Sequence, residues 1–172
     1  MSYYWYALRS KSRKEDAVWR QVMSLGYEVF YPCLRVHPVN PRSRKILPYF
    51  PGYLFVQADL EQVGVSIFQW MPHTIGLVSF GGEPSIVPEN LILAIQKRVD
   101  EINEAGGEIF DGLRPGEAVW ISSGPFQGYE AIFDARLPGS ERVRVLLEFL
   151  GNKRKVPIVL EASQIERKKR KK

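Results

Sequence analysis

The chain of 172 residues contains one cysteine, Cys33, and two histidines, His37 and His73. A single thiol excludes an internal disulfide, and two histidines without a Cys/His cluster leave no recognisable zinc site. No apolar run approaches the roughly 18 residues that span a bilayer, and the first residues lack the basic-then-apolar order of a secretory signal. We therefore expect a cytoplasmic protein without metal, cofactor or membrane contact.

Catalytic constellations are also missing. Glu101, Glu104 and Glu108 have no histidine near them in the sequence, so paired acid–base catalysis has no support. Ser122 and Ser123 lack the strand-turn-helix context of a serine nucleophile, and no glycine-rich run has the spacing of a phosphate loop. These absences favour a binding protein over an enzyme.

The net charge of +5 is unevenly distributed along the chain. The tail at 167–172 contributes +6 and residues 1–48 contribute a further +6, which leaves −7 for residues 49–166. A basic start can lie against phosphates through counterion release. A solvated face with a solubilising tail explains the same charges without a partner, and the sequence leaves both alternatives open.

Strand and helix patterns alternate through the first hundred residues. Aromatic and β-branched runs predict strands at 3–8, 27–31, 53–57 and 75–80. Ser12 followed by Glu15 fits a capping box for a helix that ends at Gly26. A second helix begins at Pro88, and its apolar stripe consists of Leu91, Ile92, Ile95, Val99 and Ile102. The pattern predicts an α+β domain in which helices pack on a mostly antiparallel sheet.

Three further segments complete the predicted organisation. Residues 59–70 predict a short helix with Val63, Ile67 and Trp70 facing inward. Residues 35–48 combine three prolines with four Lys/Arg and predict a protruding basic loop whose ends can pair as a hairpin. Beyond a Gly/Asp/Pro-rich linker at 106–115, short β-rich runs predict a small antiparallel barrel. The predicted divisions are 1–105, 106–115, 116–166 and a basic tail at 167–172.

The strand in "LPYFPGYLFV" is apolar on both faces. Its period of two places Tyr53 and Phe55 on one face and Leu54 and Val56 on the other. If helices cover one face only, Tyr53 and Phe55, with Phe80 from a neighbouring strand, line an apolar recess for a partner helix. If both faces are covered, the same aromatics belong to the core, and the residues alone do not decide.

Four stretches in order resemble the NusG family of transcription elongation factors: "WYAL" at 5–8, "YFPGYLFV" at 49–56, "GLVSFGGEPSIVP" at 76–88 and "LRPGEAVWISSGPFQGYEAIF" at 113–133. The resemblance covers essentially the whole chain. It implies a NusG-type N-terminal domain, a linker and a KOW domain with an SH3-like barrel. We expect the chain to be a monomer.

The resemblance also implies a function in processive elongation and antitermination. The N-terminal domain would bind the clamp helices of the largest catalytic subunit of RNA polymerase through the recess, here Tyr53, Phe55 and Phe80. Basic residues would lie toward the non-template DNA, and the matching positions are Lys11, Arg13, Lys14 and Arg20.

The KOW domain of the family contacts a small-subunit ribosomal protein or the Rho factor. Its recognisable positions in this sequence are Gly116, Val119, Gly124, Gly128 and Phe133. Glycines at such turns accommodate positive φ, so we read them as structural first. A ribosome-associated or RNA-binding KOW module is the alternative function.

One departure points to a specialised branch of the family. Ala131 stands where general factors usually have glycine, and "LLEFLGNK" is closer to RfaH, a paralogue whose second domain can also fold as a helical hairpin. The β-branched "VRV" run and Pro157 favour the barrel here, with the helical hairpin as the alternative.

Overall fold

The computed structural model describes residues 2–35, 46–104 and 129–152. Its strands are β1 (Tyr4–Ser10), β2 (Glu28–Phe30), β3 (Cys33–Arg35), β4 (Ile46–Pro48), β5 (Tyr53–Ala58), β6 (Thr74–Leu77), β7 (Ser79–Phe80), β8 (Glu83–Pro84) and β9 (Ile86–Val87). Its α-helices are α1 (Glu15–Ser24), α2 (Leu60–Val63), α3 (Ser66–Trp70), α4 (Glu89–Glu104) and α5 (Gly139–Asn152), and a 3-10 turn, η1, spans Glu130–Phe133.

The centre of the molecule is a five-stranded antiparallel sheet. Its order is β2-β5-β1-β6, and β9 also pairs with β1. Strands β1 and β5 pair over six residues, from Tyr4 opposite Ala58 to Arg9 opposite Tyr53. The predicted α+β class with an antiparallel sheet and packed helices is confirmed.

One face of the sheet packs against the helices that follow β1 and β5. Val18 and Val22 of α1 and Phe68 of α3 share a buried cluster with Leu54 and Val56 of β5. Val18, Leu54 and Val56 are fully buried, as the period of two predicts for this side of the strand.

The opposite face is covered as well. The predicted apolar stripe of α4 is buried, and it shares one cluster with Phe55 of β5 and with Leu146 and Leu150 of α5. Both sides of β5 therefore lie in cores, and the aromatics on the second side face a helix of this same chain.

Two local predictions are wrong. Ser12 does not cap α1: the cap position is Lys14 without a side-chain hydrogen bond, while the buried Glu15 carboxylate accepts a hydrogen bond from the backbone N–H of Gly52 at 2.8 Å. The 59–70 segment forms two short helices, because Gly64 adopts φ 79° between them. The break rotates Phe68 into the core and leaves Trp70 80% exposed.

The ends of the basic loop pair as predicted. Strands β3 and β4 form an antiparallel hairpin, with Cys33 opposite Pro48. Asn103 of α4 holds this hairpin, since its side chain donates to the Cys33 carbonyl at 3.0 Å and accepts from the Arg35 N–H at 2.9 Å. Residues 36–45 lie outside the described part.

The described residues after the predicted linker, 129–152, which we call the second segment, differ most from expectation. Where strands of a barrel were predicted, residues 130–133 form η1 and residues 139–152 form α5, which agrees with the helical alternative instead. Burial of Val145, Leu146 and Leu150 against the first domain explains the choice, because their spacing forms a helical stripe. The linker, the tail and the KOW positions Gly116, Val119, Gly124 and Gly128 lie outside the described residues.

Phe133, the remaining KOW position, lies at the end of η1. Its side chain is partly buried and packs against the cluster that contains Phe55 and Leu146. Within the described ranges, no helix is both long and apolar enough to span a bilayer. The division at residue 105 remains a prediction, since the described part of the second segment packs into the core of the first.

Candidate functional site

The predicted recess aromatics gather on the side of the sheet that faces α5. Tyr53 and Phe80 line an open cavity of about 440 Å³ together with Leu147 of α5, and the other lining residues are Arg9, Leu77, Val78 and Ser79. Phe80 is 44% exposed, whereas Tyr53 is half-buried. These two side chains form an apolar surface that is only partly covered, which we call the recess.

Phe55 lies beneath the recess and not at its surface. Its ring is fully buried, stacks on Phe30 at a centroid distance of 5.8 Å and meets the edge of Phe50 at 5.8 Å. Its position is that of a support for Tyr53, two residues earlier on the same face of β5.

Helix α5 closes one side of the recess. Its Gly151 lies under the Phe80 ring, so closely that a β-carbon at this position would be 3.0 Å from Phe80 Cε1. At the other end of the helix, a β-carbon on Gly139 would be 2.7 Å from both Cγ and Cδ of Pro51. Small residues at both ends therefore allow α5 to approach the first domain closely.

A buried guanidinium fastens α5. Arg142 is 5% exposed, and its Nε donates to the backbone carbonyl of Tyr49 at 2.8 Å. Its Nη1 donates to the carbonyls of Leu137 and Ala135, just before α5. The guanidinium carbon also lies 4.2 Å from the centroid of the Tyr49 ring, within cation–π range. One side chain thus links α5, the turn before it and the first domain.

Two weaker polar links support the same arrangement. The Ser85 hydroxyl donates to the Leu150 carbonyl at 3.2 Å, and Arg98 Nε of α4 donates to the Phe133 carbonyl at 2.8 Å. Each joins the second segment to the first domain, so α5 and η1 are held at both ends of the interface.

Tyr49 is deeply buried at this interface. Burial raises the pKa of its phenol well above the ordinary value of 10, although the positive charge of Arg142 acts in the opposite direction. Its hydroxyl has no hydrogen-bond partner among the described residues. The ring therefore contributes packing and a face for Arg142.

The four predicted nucleic-acid residues lie close together in the chain but on two elements. Lys11, Arg13 and Lys14 are exposed in the turn between β1 and α1, whereas Arg20 is exposed on α1 itself. Arg9, near the end of β1, lines the recess and precedes this basic turn in the chain. Strand β1 thus connects the recess, through Arg9, with the turn that carries three of the four predicted basic residues.

Among the residues that the structure describes, no cluster of three His, Cys, Asp or Glu side chains is arranged to hold a metal ion. The described site combines an apolar recess, a helix that covers it and an adjoining basic turn.

Comparison with known proteins gives three results. A family model described as "Transcription termination factor nusG" matches residues 3–96. The "Transcription termination/antitermination protein NusG" of Deinococcus radiodurans is 27% identical over 96% of this chain and 99% of its own length, and that of Yersinia pestis is 23% identical over 92% and 87%. A solved structure titled "Domain interaction in Thermotoga maritima NusG" covers 75% of this chain and 77% of its own, at 22% identity and a TM-score of 0.41.

Because the family model spans more than half of the sequence, the chain belongs to the NusG family of transcription factors. Its function accordingly lies in transcription elongation and antitermination.

Sequence reasoning missed Arg142. In "SERVRVLLEFL" it reads as an ordinary surface cation, and only the arrangement of three chain segments around it shows otherwise. A usable signal was present, because Arg142 shares the helical stripe of Val145, Leu146 and Leu150 if the segment is read with a period of 3.6.

Proposed function

We propose that this chain promotes processive elongation by binding the clamp helices of the largest catalytic subunit of RNA polymerase through the recess. The observation that supports this proposal is the pairing of Tyr53 and Phe80 on a partly exposed apolar surface next to a basic turn. A partner helix with apolar anchors can lie in such a surface, whose lining also includes the polar residues Arg9 and Ser79.

Helix α5 and the partner helix would compete for the recess. Leu147 and Gly151 already lie against Tyr53 and Phe80, so a second helix cannot occupy this side until α5 moves. The free energy that holds α5, including the Arg142 hydrogen bonds, therefore subtracts from the affinity for polymerase. This self-covered state supports a place in the specialised, RfaH-like branch of the family.

The basic turn would lie beside the non-template DNA strand. Lys11, Arg13 and Lys14 are exposed in the turn that follows Arg9, a residue of the recess lining, so a polymerase bound there would bring DNA phosphates within their reach. Contacts of the KOW segment with a ribosomal protein or with Rho remain predictions, as their expected positions lie mostly outside the described residues.

The recess is tested by replacing Tyr53 and Phe80 together with alanine and measuring affinity for purified RNA polymerase. Hot-spot aromatics cost about 2 kcal/mol or more when truncated, so we expect at least a thirtyfold loss. The same change weakens the packing of α5 on the recess, and this effect alone would raise the affinity for polymerase. A loss of affinity therefore cannot be caused by tighter packing of α5.

Leu93→Ala is the matched control, because Leu93 is 58% exposed on α4, away from the recess. The two alanine changes are therefore also compared in the Arg142→Ala background, where the loosening of α5 is common to both proteins. Unchanged affinity there, with the sheet intact by hydrogen exchange, would remove the recess from the binding site.

A further inference from the structure

Trp70 has the most exposed large apolar side chain in the described part of the chain. It is 80% exposed, while its neighbour Met71 and nearby Phe68 are buried and hold the α3 backbone in place. An indole presented to solvent from a fixed backbone offers a flat apolar face at low cost in conformational entropy.

A tight turn joins Trp70 to the basic turn after β1. Both the backbone N–H and the hydroxyl of Thr74 donate to the Met71 carbonyl, at 3.1 and 2.7 Å. The next contact runs from the Lys11 N–H to the His73 carbonyl at 2.8 Å. Trp70 therefore lies three residues before His73, the residue whose carbonyl accepts the Lys11 N–H.

Both turns hold a non-glycine residue in the left-handed region. Arg13 has φ 64° and His73 has φ 70°, and they are the two such residues in the described ranges. This conformation is sparsely populated by residues with a β-carbon and persists where the surrounding structure imposes it. Each turn is thus held in a conformation that its own sequence does not favour, and the Lys11–His73 hydrogen bond joins the two turns.

The charges here are free to meet a ligand. Lys11, Arg13 and Lys14 are exposed and form no ion pair within the described part of the chain. The adjacent carboxylate, Glu15, is buried and directed to the Gly52 N–H, so it does not neutralise them. The exposed carboxylate nearest in sequence is that of Asp16, on the first turn of α1.

An exposed aromatic face on one turn and unpaired cations on the turn hydrogen-bonded to it suit one ligand chemistry. Single-stranded nucleic acid offers phosphates to the cations and an unpaired base to the indole, whereas in a duplex the base faces are already stacked. We propose that Trp70 stacks an unpaired base of a single strand whose phosphates lie along Lys11, Arg13 and Lys14. This inference deepens the proposed contact with the non-template DNA strand. It rests on the proposed function only for the identity of the strand that is bound.

The test measures binding of the full chain to a fluorescein-labelled deoxythymidine 10-mer. Stacking of one base is worth roughly 1–3 kcal/mol, so Trp70→Ala should weaken binding about five- to hundredfold, and Trp70→Phe should recover most of the loss. Leu93→Ala, which removes an exposed apolar side chain from α4, should bind as the parent does.

Two further measurements separate stacking from electrostatics. Trp70→Ala should leave the salt dependence of binding unchanged, while Lys11→Ala should flatten it, by about 0.7 in the log–log slope for one phosphate contact. A 10-mer in which every base is replaced by an abasic site should bind parent and Trp70→Ala protein equally, because only the base meets the indole.

Equal affinity of parent and Trp70→Ala for the normal 10-mer would overturn the proposal. So would a loss of the same size on the abasic strand, or a loss of polymerase affinity without any effect on the oligonucleotide, which would assign Trp70 to a protein contact. The oligonucleotide measurements do not involve the recess. A negative result for the Tyr53 and Phe80 variant would therefore not change what they say about Trp70.

Discussion

Arg142 Nε donates a hydrogen bond to the carbonyl oxygen of Tyr49 at 2.8 Å, and the same guanidinium lies over the Tyr49 ring at 4.2 Å. The two residues are 93 positions apart, one just before β5 and the other in the first turns of α5. This pair joins the covering helix to the domain that carries the recess. The stability of the covered state therefore depends strongly on one buried cation.

Replacing Arg142 with alanine should release α5. The change removes hydrogen bonds from a charged donor and leaves the Tyr49 and Leu137 carbonyls without this partner, so we expect a cost of about 2–4 kcal/mol at the interface. Hydrogen exchange at α5 amides should accelerate, while exchange in β1 and β5 changes little.

Arg144→Ala is the control for that experiment. Arg144 pairs with Glu141 and Glu148 along the partly exposed side of α5, and such i,i+3 and i,i+4 pairs contribute only a few tenths of a kcal/mol each. Equal exchange rates in the two variants would show that Arg142 does not fasten the helix.

Gly139→Ala should separate helix propensity from docking. Alanine favours the helical conformation over glycine by about 1 kcal/mol in a helix interior and by less at a first residue such as Gly139, so the isolated α5 peptide should be at least as helical as the parent peptide. In the full chain the new β-carbon would lie 2.7 Å from the Pro51 ring, so the first turn of α5 should lose protection. Ser140→Ala, an exposed neighbour, is the control, and greater α5 protection in full-length Gly139→Ala would contradict the close contact.

Glu15→Ala should destabilise the first domain by about 1–3 kcal/mol in urea unfolding. The buried carboxylate accepts the Gly52 N–H, and its removal leaves that donor unpaired between α1 and β5. Ser12→Ala should stay within about 0.5 kcal/mol of the parent, since Ser12 is exposed and does not cap α1. A larger loss of stability for Ser12→Ala than for Glu15→Ala would indicate that Ser12 caps α1 after all.

Alkaline pH should weaken the interface through Tyr49. Because burial raises the pKa of this phenol in the folded protein, folding favours the protonated form. Its contribution is complete below the ordinary pKa of about 10 and is lost as pH rises beyond it. Tyr49→Phe keeps the ring but has no ionisable hydroxyl. The urea concentration at the midpoint of its unfolding should therefore fall less than that of the parent between pH 8 and 11.5. Parallel falls would contradict this assignment.

The first domain was largely predictable because its sequence has one consistent period in each element. The stripe from Leu91 to Ile102 has helical spacing only, and the alternation in β5 placed Leu54 and Val56 correctly. Trp70 was assigned inward because the break at Gly64, which changes the phase of the helix, carries no strong signal of its own.

The covering helix was not predictable from the same rules. "RVRVLLEFL" satisfies both a strand and a helix period, and its β-branched residues favour the strand. The choice depends on what the segment packs against: Tyr49, Pro51 and Phe80 provide a surface that fits a helix with glycine at both ends. Such a tertiary contact overrides local propensity and cannot be read from the segment alone.

The most direct test of the account compares the affinity of the parent and of Arg142→Ala for RNA polymerase in one titration. If α5 covers the binding surface, loss of its buried cation makes the recess available, and Arg142→Ala should bind at least tenfold more tightly. Adding Tyr53→Ala and Phe80→Ala to that variant should abolish the gain. Equal or weaker binding by Arg142→Ala, with the first domain still folded, would contradict the account.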